Sequence, residues 1–176
     1  SALKFLKEHN SVRTVLEKTG KFSGRLRVQG TKYLAGEKTK EALYRENGCV
    51  FRLNVDSCYF SPRLSNERRE IGEMVKKGEK VLVMFGGVAP LAVVIGKIEK
   101  ASKIVSVELG RECCKYALEN VKRNKLLGKV EIVQGDVRKV IGKGKKIGER
   151  FNRVVMPRPN LKDSFLDIGF NAVKRG

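Results

Sequence analysis

Three short stretches carry the residue types from which a nucleoside site is built. Gly86 and Gly87 follow the apolar run KVLVMF, Glu108 closes KIVSVEL, and Gly135 and Asp136 close KVEIVQGD. Glycines after a strand let the backbone approach a ligand. An acid at the end of the second strand, about 20 residues on, accepts the two hydroxyls of a ribose, and one at the end of the third accepts an adenine amino group. Glycines alone also serve tight turns, but with both acids in register the reading is an adenosine site. A GxxxxGK[ST] phosphate loop is missing, as is a complete GxGxxG fingerprint. S-adenosylmethionine therefore fits better than a nucleotide whose phosphates need cradling, while a dinucleotide stays open.

A second candidate is a carboxylate. In YFSPRLSNERREI, residues 59–71, helical periodicity runs Leu64, Glu67 or Arg68, Ile71, then Met74 or Val75. Glu67 is thus expected on or beside an apolar stripe, where partial desolvation raises a carboxylate's proton affinity. An ion pair with Arg63 or Arg68 is the plainer alternative. Tyr59 and Phe60, just before that helix, are suited either to stacking on an extruded base or to core packing. His9 is the single histidine, so a histidine triad is excluded and proton transfer falls to a carboxylate, tyrosine, lysine or cysteine. Cys49, Cys58, Cys113 and Cys114 form no CxxC pair, and neither a structural metal site nor a disulfide framework is expected.

These groups must be positioned by regular elements. Residues 1–20 read as a helix stopped by Gly20, and RLRVQG, KYLAGE, EALYRENG and CVFRLNVD as short antiparallel strands, together a small α/β unit over 1–58. A helix over about 62–77 follows, with Ser61 as N-cap, Pro62 at its first position and Gly78 as its end. From there strands alternate with helices: KVLVMF, PLAVVIGKIEKA, KIVSVEL, RECCKYALENVKRN, KVEIVQGD, a polar stretch, NRVVMP and LKDSFLDIGFNAVKR. That order, with near-continuous apolar strands, predicts a doubly wound parallel α/β sheet over 59–176. Sheets of this kind ordinarily continue beyond four strands, so further C-terminal strands are expected to be missing.

The charge balance names the partner class. Thirty-eight lysines and arginines against 19 acids give a net charge of +19, spread through periodic apolar segments rather than a tail. A folded protein with a positive face, facing nucleic acid, is the expectation. No apolar run is long enough to span a bilayer and the opening residues lack a signal pattern, so a cytoplasmic protein with no membrane partner is expected.

NVDSCYFSPRLSNER, VLVMFGGVAPLAVVIGK, ENVKRNKL, VQGDVR and NRVVMPRP, together with the upstream SVRTVLEKTG, SGRLRVQG, LAGE and YRENG, resemble the archaeal and eukaryotic tRNA (guanine-37-N1)-methyltransferases. That family includes the related wybutosine-pathway aminocarboxypropyl transferases. The resemblance implies a class I, Rossmann-like methyltransferase domain behind a small α/β domain, S-adenosylmethionine as cofactor, tRNA as partner, and a monomer.

Carried onto this chain, the resemblance makes Glu67 the base that deprotonates guanine N1, and Arg27, or else Arg25, the cation facing the base edge. Pro157 stands where many members have an asparagine. Implied cofactor contacts are Phe85, Gly86, Gly87 and Val88, then Glu108 and Leu109, then Gly135, Asp136 and Val137, with Met156 at the last strand. Tyr59, Phe60, Arg63 and Arg68 are implied on the substrate side, and the cluster at 138–150 on RNA phosphates. Methyl transfer, aminocarboxypropyl transfer and a tRNA-binding module without catalysis are three separate readings. The chain departs from common family residues at Val83 and Asn152, both usually aspartate, and at Arg158.

Overall fold

The computed structural model describes residues 1–157 and 162–175. Its centre is a four-stranded parallel sheet of β5 (Lys80–Met84), β6 (Lys103–Glu108), β7 (Val130–Gln134) and β8 (Arg153–Val155), in spatial order β7-β6-β5-β8. The apolar runs form central strands because both sheet faces are covered: Val81, Leu82, Val83 and Met84 are each fully buried. One face packs against α3 (Pro90–Lys97) and α4 (Arg111–Arg123), and α2 (Ser65–Met74) packs on α3. The other face holds Phe151, Ile141 and Ile147, with the partly buried Phe165 and Ile168 against it. The reversal of strand order lies between β5, β6 and β8, where a parallel sheet opens its crevice.

Before the sheet come two antiparallel pairs, β1 (Thr14–Lys18) with β2 (Thr31–Gly36), and β3 (Glu41–Glu46) with β4 (Cys49–Asn54). The second is a hairpin turned by Asn47 (φ 48°) and Gly48 (φ 70°), the pair of left-handed residues that a tight hairpin requires. Its outer edge is closed by a helix. Asn120 accepts from Arg52 N at 2.8 Å and donates to Arg52 O at 3.0 Å, while Asn124 accepts from Val50 N at 2.9 Å and donates to Val50 O at 2.8 Å. Four residues of helix rise about 6 Å and two residues of strand about 6.6 Å, so the ENVKRN spacing lets two amides act as a neighbouring strand.

Several sequence expectations are corrected. Helix α1 spans only Ala2–Glu8, and residues 14–18 form β1 instead. The register with β2 places Val15 opposite Ala35, so tertiary pairing overrides helical periodicity. RLRVQG is not a strand: Ser23 and Val28 bridge across a turn in which Arg27 has φ 49°. The helix expected over 62–77 is a 3-10 turn, Pro62–Leu64, followed by α2, which ends at Met74 because Val75 turns extended. The Ser61 side chain makes no capping bond. Within the polar stretch lies the short helix α5 (Val137–Val140), capped by the Asp136 side chain through Arg138 N at 3.0 Å. The final helix, α6, is confined to Leu166–Ala172 after a left-handed Phe165, and the expected helical residue 161 lies outside the described residues. Finally, Cys58 and Cys113 are joined as a disulfide, against the expectation from spacing, because folding brings residues 55 apart in sequence to a Cα separation of 5.6 Å.

Candidate functional site

The crevice lies beyond the carboxyl ends of β5, β6 and β7. Gly86 sits directly against the next strand: its amide donates to Val107 O at 2.8 Å, and a Cβ there would lie 1.9 Å from Ser106 Oγ. Only glycine lets the loop turn at this height. Glu108 then braces two loops at once, with Oε2 accepting from Gly87 N and Oε1 from Gly110 N, each at 2.8 Å. Both oxygens keep further acceptor capacity, as a ribose-binding carboxylate needs.

Around this loop the structure closes a cavity of about 110 Å³. Gly86, Gly87, Phe85, Glu108 and Leu109 line it, together with Tyr59, Phe60 and Pro157. Glu67 and Arg27 enter the same cavity from opposite units. Arg27 lies over the Tyr59 ring, 4.4 Å from its centroid, with Nε buried and unpartnered among the described residues. Glu67 is exposed at the rim, which corrects the expected partial desolvation on the helix stripe. Among the described residues its carboxylate takes part in no ion pair, so the alternative pairing with Arg63 or Arg68 is not formed.

Arg68 occupies the inward position instead. It is buried with Glu46, donating from Nε to Glu46 Oε2 at 2.7 Å, from Nη2 to Glu46 Oε1, and from Nη2 to Ser61 O at 3.0 Å. Its guanidinium therefore fastens α2 to the β3–β4 hairpin, and the expected phosphate contact is corrected. Arg63 is exposed and outside the cavity lining.

A second cavity continues the crevice toward β7. Gly135, Asp136 and Val137 line it, facing Phe165 and Lys162. Arg25, Phe85 and Leu109 line both cavities. Asp136 Oδ2 accepts from Arg25 Nη2 at 2.7 Å, and this guanidinium holds the Asp136 carboxyl below the usual carboxylate range. Arg138 is drawn to Asp163 and to Asp167 (2.9 Å) and lies over the Phe165 ring, so this member of the basic cluster is already paired.

Two expected cofactor contacts, Val88 and Met156, are not among the residues that line either cavity. Val88 is fully buried with Leu53, Cys58 and Cys113, under the loop, and Met156 packs into the core beside α6. Of the family departures, Val83 is sealed in the core and Asn152 accepts from Lys80 N at 2.8 Å, while Pro157 lines the first cavity. Arg158 lies outside the described residues. Leu64, an inward position of the expected helix, also lines the first cavity, and Phe165, which was not singled out and whose signal is the FL pair after the last strand, lines the second. Among the described residues no group of three His, Cys, Asp or Glu could hold a metal ion, and no helix is long and apolar enough to cross a membrane. Burial pushes the Cys114 thiol up to about 11, and Glu108 adds to the shift, which makes it a packing group rather than a nucleophile.

Comparison with known proteins follows the same lines. The TRM5/TYW2 methyltransferase domain profile matches residues 42–176. A Nanoarchaeum equitans protein named tRNA (guanine(37)-N(1))/4-demethylwyosine(37)-methyltransferase Taw22 is 46% identical over 70% of this chain and 41% of its own. Among solved structures, aTrm5 in complex with tRNALeu superposes with a TM-score of 0.86 at 29% identity, covering 98% of this chain and 49% of that one. M. jannaschii TYW2 in complex with AdoMet gives a TM-score of 0.69 at 27% identity, over 82% of this chain and 63% of that one. The chain thus spans half or less of the length of the first two. With its class I sheet, its crevice and a profile match over most of its length, the chain belongs to the TRM5/TYW2 methyltransferase domain family.

Proposed function

We propose that this chain is the catalytic part of an S-adenosylmethionine-dependent methyltransferase acting on N1 of guanosine 37 in tRNA, with Glu67 as general base. The observation that carries the reading is the convergence of Glu67, Arg27 and the Glu108-braced Gly86-Gly87 loop on one cavity. Homologues named for that reaction, and one solved with tRNA, support the substrate.

The residues present fit the cofactor. A glycine cradle that a Cβ at Gly86 would fill, the Glu108 carboxylate and the Asp136 carboxylate match a nucleoside's hydroxyls and amino group. Bound there, S-adenosylmethionine supplies an electrophilic methyl group. Residues 59–176 are read as the cofactor unit and 1–58 as a small unit that presents Arg27 to the substrate.

Guanine N1 carries a proton at neutral pH, so its attack requires a base, and negative charge spreads to O6 as the proton leaves. Glu67 accepts that proton, and the buried Nε of Arg27, without a partner among the described residues, offers a donor for the O6 charge. Tyr59 and Phe60 supply the aromatic walls that hold a base drawn out of the anticodon loop.

The test is a labelled-methyl assay on unmodified tRNA with guanosine or adenosine at position 37, with the modified nucleoside identified by mass spectrometry. One methyl group on guanine N1 supports the reading. An aminocarboxypropyl adduct would move the chain to the sister activity, and tRNA binding without cofactor binding would leave only a binding module.

A further inference from the structure

The turn that carries Arg27 is an excursion from the β1–β2 pair. Thr19 N donates to Gly30 O at 3.0 Å at its base, and Ser23 N donates to Val28 O at 3.0 Å nearer its tip. Every residue from 20 to 28 is exposed or half-buried, so core packing does not place this turn over the crevice. Its position is taken from partners outside it. The Tyr59 ring meets both the Arg27 guanidinium and the Phe22 ring, the latter edge-on at 5.0 Å, and Asp136 accepts from Arg25.

The returning arm of the turn is held at three points by Asp56. Its carbonyl accepts from Gln29 N at 2.8 Å, and its carboxylate accepts from Thr31 Oγ1 through Oδ1 and from Lys40 Nζ through Oδ2. Lys40 Nζ also donates to Thr31 O at 2.9 Å. One hydrogen bond sets a distance, whereas bonds at separate points set an orientation as well. Asp56 is itself fixed from the other side. Asn54 Oδ1 accepts from Asp56 N at 2.9 Å and from Ser57 N at 3.2 Å, Cys58 N donates to Asn54 O at 3.1 Å, and Cys58 is joined to Cys113 on α4. One short loop thus carries Asp56, which grips the base of the turn, and Tyr59, which meets Arg27 near its tip.

Resting on the function proposed above, in which Arg27 is the donor to guanine O6, we propose that Asp56 is a positioning residue for methyl transfer. Its carboxylate orients the Arg27 turn over the cavity and touches neither substrate. A donor that must meet a developing charge tolerates little displacement, so loosening the turn weakens the chemical step rather than cofactor binding.

The test has a catalytic and a structural arm. Single-turnover methylation of unmodified tRNA is measured for the wild-type protein, Asp56→Ala, Arg27→Met and the double variant, with cofactor Kd read by calorimetry. Asp56→Ala is expected to lose about tenfold or more in rate at saturating tRNA with cofactor Kd unchanged. On the Arg27→Met background the same change is expected to cost less than about twofold, because it acts through a group already removed. In the structural arm, amide hydrogen exchange at Ser23, Arg27, Val28 and Gln29 is expected to quicken by about threefold or more in Asp56→Ala, with the amides of β5 unchanged.

An undiminished rate in Asp56→Ala would overturn the positioning role, as would a loss that multiplies in full with that of Arg27→Met. Unchanged exchange at residues 23–29, or equal acceleration across the parallel sheet, would overturn it too. A wild-type protein that transfers no methyl group to guanosine would overturn the function proposed above, while the exchange arm, which needs no turnover, still decides whether Asp56 holds the turn. If Asp56→Ala does not fold, Lys40→Met, which leaves the carboxylate its bond from Thr31, decides by the same readouts.

Discussion

The guanidinium of Arg27 stands 4.4 Å from the centroid of the Tyr59 ring, joining the turn before β2 to the loop before α2 across the mouth of the crevice. The contact fixes the plane of a cation whose Nε is buried without a partner among the described residues. A lysine keeps the charge but loses the planar stack and the fixed donor. Arg27→Lys should lower kcat by about 10²-fold with the cofactor Kd unchanged, as expected when one aimed donor is lost. Single-turnover methylation and calorimetry separate the two quantities.

Glu67 reaches the same cavity from α2 and is exposed at its rim. Glu67→Gln keeps the shape and removes the base, so kcat should fall by about 10²–10⁴-fold while RNA and cofactor affinities hold. Full activity in that variant would remove Glu67 from proton transfer.

Glu108 is bonded to Gly87 N and Gly110 N through separate oxygens. Glu108→Ala frees both loops and deletes the ribose acceptor. Each charge-assisted bond contributes about 1.5–3 kcal/mol, so cofactor affinity should fall by roughly 10- to 100-fold. Titration calorimetry reads this directly, and unchanged affinity would exclude the ribose role.

The buried Glu46–Arg68 pair predicts a stability effect away from the chemistry. Side-chain exposures of 1% and 7% mean that removing one partner strands a charge. Arg68→Met should cost about 3–5 kcal/mol in chemical denaturation, and pairing it with Glu46→Leu should recover much of the loss.

Acidification should destabilise the fold. Hydrogen bonding to Arg25 lowers the pKa of Asp136, hydrogen bonding to Lys103 lowers that of Glu149, and hydrogen bonding to Arg123 lowers that of Glu119. A carboxyl whose folded pKa is depressed contributes stability that is fully present above its unfolded pKa, about 4, and is lost as pH falls through the folded value. Thermal melts should be flat near neutrality and decline below about pH 4.5. A Tm that rises on acidification would contradict these pairings.

The parallel sheet was legible along the chain because buried strands leave unbroken apolar runs, and helices between them leave their own period. The acids and glycines at the ends of those runs were legible for the same reason: topology fixes where a strand end points. Residues 14–18 were not, since a strand stabilised by partners between Thr31 and Gly36 carries no local mark of them. Nor does the order of letters say which of Glu67 and Arg68, adjacent on one helix, turns inward. Glu46, brought up by the hairpin, buries Arg68 and leaves Glu67 at the rim. Likewise, SGRLRVQG offered two arginines, of which Arg27 was the preferred one, without local spacing to separate their partners. Only the left-handed turn at Arg27 divides them, sending one to Tyr59 and the other to Asp136, because long-range partners, not local spacing, decide where a flexible cation comes to rest.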